Sequence, residues 1–487
     1  MSAQVLVVGA GPAGLTMAIE LKRYGVPVRI IEKASAPSQH SRALFVWPRT
    51  LELLERAGCA APLVAAGHKV ERATIMSADR VIGHVNFDYV ASPYAYALML
   101  PQAQTEAVLS THLAGLGVQV ERGVELSGFT QESGHVAATL RHADGREERI
   151  QTPWLIGCDG GGSLVRKTLG LASTGAEQRS DWLLADVHLE GYGFAPNELA
   201  SFWHEDGFLA IHPFADGLYR VIADIDHAQG TEPDLAMVQR VLDVRGPGGL
   251  TASAPVSLST FWINERNATK YRVGRVFLAG DAAHLHNPIG AQGMNMGIHD
   301  AVNLAWKLAM VERGTANADA LLDSYNAERH AIAEHVIANI GRVTVISLMH
   351  NPITQRVRNF FGGLFFGLAP ARQAVAERLS EVSLTYVNSP LNGPEDHAFP
   401  GPGPGERLSP QPGQTPVGQG DAPRFALLAE PSPELEQLRA QYAHLLEPTL
   451  RPPLSPRCLW LVRPDGYIAA VTLDPDLESL RSYLRRF

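Results

Sequence analysis

The clearest pattern of hydrophobic and polar residues lies at the beginning of the chain. Gln4 to Val8 is a short aliphatic run of the kind that forms a buried parallel strand. A helical stretch from Leu15 to Tyr24 follows and stops at Gly25, and Val28 to Ile31 is a second aliphatic strand that ends at Glu32. The pattern therefore predicts a β-α-β unit of about 30 residues.

The rest of the chain alternates between strand-like and helix-like patterns. Strand-like alternation at about 73–100 and from about Ser180 to Trp262 predicts sheet, whereas Gln292 to Val311 predicts a long helix. Dense proline and glycine between Gly393 and Arg424 indicate an irregular arm before a small final module. The expected domains are an α/β unit at 1–175 and 273–392, with a β segment inserted at about 73–100, a β-sheet domain at 176–272, and the arm with the C-terminal module at 393–487.

Composition narrows the class of protein. The 487 residues carry 41 lysines and arginines against 50 aspartates and glutamates, for a net charge of −9, and no basic stripe, so no nucleic-acid partner is expected. The three cysteines form no C-x-x-C pair, which argues against disulfides or a metal site and fits a reducing cytoplasm. Asn359 to Pro370 is apolar but too short to cross a membrane, so we expect a core or substrate-entrance element there, with contact to a membrane surface as the minor alternative, and no transmembrane segment.

The first strand runs into a glycine-rich loop. Gly9, Gly11 and Gly14 match G-x-G-x-x-G: the first allows a tight turn, the second lets a pyrophosphate approach the backbone, and the third lets the helix pack on the strand. The helix start then presents free N–H groups to the phosphates. Glu32 stands where an acid bonds a ribose hydroxyl, and its charge disfavours the 2′-phosphate of NADP at this site. The loop predicts a dinucleotide site for NAD or FAD.

A second glycine-rich block, Leu278 to Lys307, distinguishes between these ligands. Asp281 follows a buried strand and can accept a hydrogen bond from a ribityl hydroxyl. Gly290, Gly293 and Gly297 leave room for a flat ligand. The start of the following helix places positive partial charge where a reduced flavin carries negative charge, an arrangement that NAD does not need. FAD is therefore the predicted ligand.

A further block lies between those two along the chain. Leu155 to Gly170 contains a strand that ends in Asp159-Gly160, and Ser163 and Arg166 open a helix directly after it. On pattern alone this block is either a cofactor contact or a capped strand-to-helix turn.

In this order the three blocks resemble the fingerprints of the class A, single-component flavin-dependent aromatic monooxygenases typified by para-hydroxybenzoate hydroxylase. Other matching segments extend the resemblance over essentially the whole chain: Ser41-Arg42-Ala43, Pro48 to Glu52, Gln102 with Glu106, Leu322 to Tyr325 with Glu328-Arg329, and Arg463 to Tyr467. The phenol and polyketide hydroxylase subgroup is the most similar. The resemblance implies a glutathione-reductase-type, Rossmann-like FAD-binding domain, a mostly β substrate domain and a small thioredoxin-like α/β domain at the C-terminus, here without C-x-x-C.

The resemblance also implies roles for individual residues. It places the following around FAD: Gly9, Gly11, Gly14, Glu32, Lys33, Arg42, Gln102, Asp281, Pro288, Gly290, Gly293, Met294 and Asn295. In the family, the Asp159 block is linked to both FAD and the nicotinamide cofactor, with Arg166 holding the turn. One departure is visible, because Ala291 stands where the family has the second glycine of P-x-G-G-Q.

No second nucleotide-binding fold follows in the sequence, so the resemblance implies NADPH or NADH as a transient reductant and molecular oxygen as co-substrate. The implied reaction is hydroxylation of a phenolic or polycyclic polyketide substrate through a flavin C4a-hydroperoxide. Baeyer–Villiger or epoxidation chemistry stays open, as does a non-catalytic flavin-fold binding protein. A monomer and a homodimer are both compatible with the sequence.

The implied reaction requires the protein mainly to orient an aromatic ring and to exclude water. The sequence shows no Ser-His-Asp or paired-carboxylate arrangement that would indicate a different chemistry. His212, His204 and His286 are candidates for a base that takes a phenolic proton. Trp203 and Phe214 are candidates for an apolar substrate pocket in the β domain, although ordinary sheet packing explains such residues equally well.

Overall fold

The structure is a computed structural model that describes residues 4–38, 43–77, 80–175, 177–214, 217–225, 232–286, 290–316, 318–349, 351–395, 399–473 and 477–487. The strands in these ranges are β1 (Val5–Val8), β2 (Val28–Glu32), β3 (Phe45–Val46), β4 (His68–Val70), β5 (Arg72–Ser77), β6 (Arg80–Asn86), β7 (Ala97–Met99), β8 (Glu121–Arg122), β9 (Val124–Glu132), β10 (His135–His142), β11 (Glu147–Thr152), β12 (Trp154–Gly157), β13 (Ser173–Thr174), β14 (Glu177–Glu190), β15 (Glu198–His204), β16 (Gly207–Pro213), β17 (Leu218–Ile225), β18 (Thr251–Asn264), β19 (Arg266–Ala268), β20 (Arg272–Val273), β21 (Val276–Leu278), β22 (His284–Leu285), β23 (Ala426–Leu428), β24 (Cys458–Val462) and β25 (Ile468–Leu473).

The helices are α1 (Pro12–Arg23), α2 (Pro48–Glu55), α3 (Ala60–Ala66), α4 (Gln102–Gly115), α5 (Leu164–Thr168), α6 (Leu235–Arg245), α7 (Gly293–Glu312), α8 (Ala318–Ser347), α9 (Pro352–Gly367), α10 (Ala369–Leu379), α11 (Pro433–Gln441) and α12 (Leu477–Leu484). Two short 3₁₀ helices, η1 (Phe87–Tyr89) and η2 (Gly280–Ala282), lie between them. Within the described ranges, none of the helices is both long and apolar enough to span a bilayer.

The aliphatic runs assemble into a six-stranded sheet with the order β20-β21-β12-β1-β2-β8. β1 pairs in parallel with β2 on one side and with β12 on the other, which confirms the predicted β-α-β unit. β12 in turn pairs in parallel with β21. Because parallel strands end at the same edge, the residues that follow β1, β2, β12 and β21 meet there, at the usual ligand position of an open α/β sheet.

The sheet-rich middle of the chain forms a seven-stranded sheet with the order β18-β14-β17-β16-β15-β5-β6. The β5–β6 hairpin, from the segment predicted as an insertion, joins it through a parallel contact between β5 and β15. Val238 and Leu242 of α6 pack on one face of this sheet. The limits predicted for the separate domains stay a prediction.

The C-terminal module contains the antiparallel sheet β23-β24-β25 with α11 and α12. Its thioredoxin-like character stays a prediction. The apolar segment at 359–370, expected in the core or at a substrate entrance, lies mostly in α9. Its inner face packs on β6 through Phe366. Nine of its twelve residues are exposed and none is buried, with Phe360 and Phe361 64% and 62% exposed, so the expectation of a core element is wrong and the substrate entrance stays a prediction.

Candidate active site

The three glycines of the loop after β1 serve different purposes. Gly9 has a φ of +101°, and a Cβ there would lie 2.3 Å from the carbonyl oxygen of Cys158. A Cβ on Gly14 would lie 2.0 Å from the carbonyl oxygen of Gly9, so both positions need glycine for close packing. A Cβ on Gly11 would meet nothing within 4 Å, so the backbone there faces open space. The first turn of α1 has no side-chain cap and no acidic residue, which suits a ligand phosphate.

Glu32 ends β2 at the same edge of the sheet. Its Oε2 accepts a hydrogen bond from the Ala10 N–H at 2.9 Å, and its Oε1 accepts one from the Ala34 N–H at 3.0 Å. These bonds hold the half-buried carboxylate beside the glycine loop, and each oxygen keeps a lone pair that a ribose hydroxyl can use. Lys33 is exposed next to it.

Gln102 opens α4 and fixes the segment that precedes β3. Its N–H donates to the Ala43 carbonyl at 3.0 Å, and the Ala43 N–H donates to its Oε1 at 3.3 Å. Its Nε2 donates to Glu106 Oε1 at 2.9 Å. Gln102 is thereby anchored beside the position that follows Arg42, a predicted pyrophosphate contact that lies outside the described residues.

The loop after β21 brings a second helix start to this edge. Gly280 has a φ of +60°. A Cβ on Gly297 would lie 3.0 Å from the Gly280 Cα and 3.3 Å from the Ala13 Cβ, so α7 approaches η2 and α1 very closely. Asp281 lies in η2 and is exposed. Like α1, α7 has neither a side-chain cap nor an acidic residue in its first turn. The predicted flavin contacts at this helix start are Gly290, Gly293, Met294 and Asn295, and Pro288 lies outside the described residues.

We call the segment at 286–292, between β22 and α7, the flavin loop. Asn295 connects this loop to β3. Its Nδ2 donates to the Ala291 carbonyl at 3.0 Å and to the Phe45 carbonyl at 2.9 Å. Its Oδ1 accepts a hydrogen bond from the Trp47 N–H at 2.9 Å. Gly290 and Ala291 have φ values of +88° and +52°, so Ala291 occupies the left-handed region that favours glycine. The missing family glycine therefore falls where an alanine costs conformational energy.

The middle block forms a capped turn. Asp159 accepts hydrogen bonds from the Ser163 hydroxyl at 2.6 Å and from the Val165 N–H at 3.1 Å. The Arg166 guanidinium donates to the Ala282 carbonyl at 2.9 Å, which ties this turn to η2. The Asp159 carboxylate thus shapes the sheet edge, and its contact with FAD or a nicotinamide stays a prediction.

These features together fit FAD. Two uncapped helix starts lie side by side, backbone is open at Gly11, and a carboxylate stands at either end of the edge, Glu32 on one side and Asp281 on the other. An extended dinucleotide with its phosphates at α1 and its ring at α7 matches this distribution of open backbone and positive partial charge.

Comparisons with known proteins agree with this geometry. Residues 2–340 match the family model described as an FAD binding domain. The chain is 40% identical over 400 residues to the 6-methylpretetramide 4-monooxygenase of Streptomyces rimosus, covering 80% of this chain and 71% of that protein. It is 35% identical over 390 residues to the rifampicin monooxygenase of Streptomyces venezuelae, covering 78% and 79%. The chain belongs to this family of FAD-dependent monooxygenases.

A solved structure extends the likeness over the whole monooxygenase. The anhydrotetracycline hydroxylase OxyS from Streptomyces rimosus superposes with a TM-score of 0.81 at 27% identity, covering 100% of this chain and 99% of that one. FAD is the cofactor, and the reaction of the family uses molecular oxygen and a reduced nicotinamide.

Beside the flavin loop, the monooxygenase has a cluster of aromatic side chains. Phe45 stacks on Trp47 with ring centroids 5.1 Å apart, and Trp47 lies 5.6 Å from Phe87. The Phe45 ring meets the His212 ring edge-on at 5.0 Å. Trp47 Nε1 donates to the Gly290 carbonyl at 3.2 Å. We call these four side chains the aromatic wall, and it is hydrogen-bonded directly to the flavin loop.

The predicted substrate residues occupy two different places. Phe214 packs against the cluster that contains the aromatic wall and Ala291. Trp203 instead packs near Trp182 and Phe208, with the Arg358 guanidinium 4.8 Å from its ring centre. Of the two candidates, only Phe214 therefore packs in the same cluster as Ala291 of the flavin loop.

The candidate histidines also differ in their surroundings. His212 lies on β16, and burial, reinforced by the charge of Arg220, lowers its pKa to about 3. Its Nδ1 is buried without a hydrogen-bond partner among the described residues. His204 accepts a turn hydrogen bond from the Asp206 N–H at 3.2 Å, away from the wall. His286 Nε2 lies 2.9 Å from His284 Nδ1, at the start of the flavin loop.

Sequence reasoning missed Trp47 and the buried charge of Asp300. Asp300 Oδ2 accepts a hydrogen bond from the Gly280 N–H at 3.0 Å, and its Oδ1 accepts one from Arg329 Nε at 2.7 Å. Burial raises its pKa, but the charges of His284 and Arg329 outweigh burial and hold the pKa at about 2. The available signal was an ionisable residue within an otherwise apolar helix, since such a group needs partners when buried.

Proposed function

We propose that this monooxygenase hydroxylates a polycyclic phenol of the aromatic polyketide class, bound beside the flavin loop and against the aromatic wall. The hydrogen bond from Trp47 Nε1 to the Gly290 carbonyl carries the proposal, because it fixes the wall to the loop that is expected to support the flavin ring. Relatives named as monooxygenases of 6-methylpretetramide and rifampicin support a substrate of this class.

In this proposal the sheet edge holds FAD through the predicted contacts. Gly9, Gly11, Gly14 and Glu32 bind the ADP half, Asp281 binds the ribityl chain, and α7 from Gly293 stabilises the charge of the ring. Bound FAD, reduced by the nicotinamide, supplies the activation of oxygen. Gly11 supports the assignment because its backbone faces open space, whereas Gly9 and Gly14 are closed by protein.

The side chains of the protein orient the substrate and exclude water from the site. Phe45, Trp47 and Phe214 present apolar rings that exclude water and align an aromatic substrate. His212 is neutral at ordinary pH because its pKa is about 3, so it accepts a hydrogen bond from a phenolic hydroxyl without keeping the proton. We therefore assign His212 to substrate orientation rather than to general-base catalysis.

A substrate screen tests the proposed class. FAD-loaded protein is mixed with single-ring and multi-ring phenols, and NAD(P)H consumption, hydrogen peroxide release and product mass are followed together. Multi-ring phenols should accelerate NAD(P)H oxidation and yield products one oxygen atom heavier. A ring-expanded lactone or an epoxide would favour Baeyer–Villiger or epoxidation chemistry. Protein that stays colourless with added FAD would contradict flavin catalysis altogether.

The aromatic wall is tested with Trp47→Phe, which keeps a ring but removes the hydrogen bond to Gly290. We expect hydrogen peroxide release per NAD(P)H to rise several-fold, because a loosened wall admits water. Trp154→Phe is the matched control, since Trp154 Nε1 also donates one hydrogen bond, to Glu312 at 2.6 Å, at the opposite end of the sheet. Equal hydrogen peroxide release per NAD(P)H in the two variants would contradict a role of Trp47 in excluding water.

The ADP contact is tested with Glu32→Gln. Loss of the charge should weaken FAD binding about tenfold, since hydrogen bonds to charged groups are worth roughly 1.5 kcal/mol or more. The measurement is the FAD dissociation constant, obtained from flavin fluorescence on titration of FAD-free protein. Glu125→Gln, which removes an exposed carboxylate paired with Arg141, is the control. An unchanged FAD dissociation constant in Glu32→Gln would show that Glu32 does not bind the ribose of FAD.

We further propose that two copies of the chain associate through the outer face of α9. Seven apolar side chains on or next to this helix are 47–72% exposed: Ile353, Val357, Phe360, Phe361, Leu364, Phe365 and Leu368. At roughly 100 Å² of exposed area each they offer about 700 Å², close to the share of one partner in a stable interface. The net charge of −9 disfavours an anionic membrane as the occupant of this face.

Sedimentation of the FAD-loaded protein tests this association. The wild type should sediment at twice the mass of the 52.6-kDa chain, and Leu364→Glu should sediment as a single chain. Val256→Glu, at a 67% exposed apolar residue on β18, is the control and should stay dimeric. A single chain at every concentration, or binding to lipid vesicles that Leu364→Glu abolishes, would contradict the proposal.

A further inference from the structure

A chain of hydrogen bonds runs from the interior of α7 to the flavin loop. Asp300 Oδ2 lies 2.7 Å from His284 Nε2, and both side chains are completely buried. His284 Nδ1 lies 2.9 Å from His286 Nε2. The other ring nitrogen, His286 Nδ1, is buried and has no hydrogen-bond partner among the described residues. We call this arrangement the histidine chain.

When both rings are neutral, Asp300 fixes the direction of the histidine chain. It already accepts hydrogen bonds from Arg329 and from the Gly280 N–H, and an ionised carboxylate has no proton to give. His284 Nε2 must therefore carry a proton, and in a neutral ring His284 Nδ1 is then an acceptor. His286 Nε2 is consequently the donor to His284. This leaves His286 Nδ1 as a bare, buried acceptor.

The histidine chain ends in a ring that packs beside the start of α7. His286 directly precedes residues 287–290, and its Cβ and Cδ2 lie 3.9 Å from the position of a Cβ on Gly293, the first residue of α7. A buried acceptor without a partner is unfavourable in a folded protein, and such groups concentrate at functional sites. A ligand seated at this helix start is the available source of a donor.

We propose that Asp300, His284 and His286 form a proton-accepting relay for an acidic O–H or N–H group of the ligand bound beside the flavin loop. Two sources supply such a group, the phenolic hydroxyl of the substrate and the ring N–H of the flavin. The identity of the first rests on the proposed function. The ligand proton moves to His286 Nδ1, and the His286 Nε2 proton moves to His284 Nδ1. The ligand keeps the electron pair as an anion, and the positive charge rests on His284 beside Asp300.

The surrounding charges explain why a relay is needed. Burial, followed by the charges of His284 and Arg329, holds the pKa of His286 well below its ordinary value, against an opposing effect of Asp300. A proton therefore does not stay on His286. On His284 it lies next to the Asp300 carboxylate, which compensates its charge, whereas Arg329 from α8 opposes it.

The first test is independent of activity. ¹⁵N NMR of histidine-labelled protein, with and without FAD, reports which ring nitrogen carries the proton, and His284→Gln and His286→Gln assign the signals. We expect His286 to carry its proton on Nε2 and none on Nδ1. A proton on His286 Nδ1 in the ligand-free protein would overturn the relay. This result would stand even if the substrate class were wrong.

The second test measures the ionisation of bound ligands in FAD-loaded protein. Alizarin, a coloured polycyclic phenol, reports phenol ionisation by absorbance, and the flavin absorbance reports ring N–H ionisation. In the wild type, one of the two apparent pKa values should be lowered by roughly one unit or more relative to the free compound. His286→Gln should abolish that shift, and His335→Gln, at an exposed histidine that contacts Asn339, should preserve it.

The two arms of this test separate the two sources of the proton. A shift confined to alizarin assigns the relay to the substrate, and a shift confined to the flavin assigns it to the cofactor. Unshifted values in both arms, or a shift that survives in His286→Gln, would overturn the proposal. Circular dichroism and FAD content of each variant show that the fold is retained, and the NMR result on the wild type does not depend on any variant.

Discussion

Two buried polar clusters lie along α7, and they differ in whether every group has a partner. In the first, which we call the Glu328 cluster, the carboxylate of Glu328 accepts hydrogen bonds from Lys307 at 2.7 Å, from Asn303 at 2.7 Å and from Arg463 at 2.6 and 3.0 Å. In the second, the histidine chain, hydrogen bonds lead from Asp300 through His284 to His286 and end at a nitrogen that has no partner among the described residues.

This difference separates a structural role from a functional one. The Glu328 cluster joins α7 and α8 to the C-terminal module, where Arg463 also bonds Asp465 and the Trp306 Nε1 donates to the Asp465 carboxylate at 3.0 Å. The charges of this cluster are satisfied within the protein, so it stabilises the docking of that module. The histidine chain instead ends at His286, beside the start of α7, and we propose that it acts on what binds there. α7 thus contributes to both clusters, through Asp300 and through Lys307 about two turns further along.

The largest effect should follow from opening the Glu328 cluster. Arg463→Met leaves Glu328 buried with too few positive partners, and breaking a buried pair in this way costs about 3–5 kcal/mol. We expect a loss of this size in the free energy of unfolding, measured in urea by circular dichroism. Arg439→Met, which removes an exposed pair with Glu436, should cost under about 1 kcal/mol. A similar small loss in Arg463→Met would mean that the cluster does not stabilise docking.

The acid sensitivity of the protein should depend on the same cluster. Burial raises the pKa of Glu328, but the charges of Arg463 and Lys307 outweigh it and hold the pKa well below its ordinary value. A depressed carboxyl pKa gives stability that is present at neutral pH and is lost as pH falls below about 4, where the unfolded chain takes up the proton.

The check is to compare the wild type with Glu328→Gln in urea at several pH values. The difference in unfolding free energy should be largest near pH 7 and should shrink as the pH is lowered towards 3. A difference that grows on acidification would show that the Glu328 carboxyl is not held ionised by its neighbours.

The flavin edge was predictable because its signals are local in sequence. A strand, a spaced set of glycines and a terminal acid such as Glu32 follow one another, and parallel strands bring their ends to one edge. Trp47 and Phe45 carried no such signal. Their place beside Gly290 depends on the pairing of β3 with β7 and on Asn295, which are contacts between distant parts of the chain.

The polar clusters show the same limit. A buried Asp300 or Lys307 within an apolar helix indicates that partners exist, but not that Asp300 bonds His284 or that Lys307 bonds Glu328, 21 positions further along. Nor could the pattern separate Phe214 from Trp203, because both alternate with polar residues on strands or directly after them. In the folded protein the two residues pack in different clusters, which depend on contacts between distant parts of the chain.

A smaller effect should come from the loop that joins the cofactor edge to the aromatic wall. Ala291 has a φ of +52°, which costs an alanine about 1 kcal/mol, and Ala291→Gly should recover about that amount of stability. Ala254 on β18 has a φ of +42°, so Ala254→Gly is a matched control with a similar gain. Only Ala291→Gly should alter flavin mobility, measured by the fluorescence anisotropy of bound FAD. Equal anisotropy in both variants would separate Ala291 from the flavin.

The smallest effect on stability should come from the open end of the histidine chain. His286→Gln removes one hydrogen bond to His284 and a nitrogen that had no partner, so its cost should stay below about 1 kcal/mol. The same urea titration that reports Arg463→Met measures it. A loss as large as that of Arg463→Met would make His286 a structural brace like the Glu328 cluster. A small loss combined with an altered ligand pKa would mean that the residue is kept for what it accepts from the ligand, because it contributes little to holding the fold together.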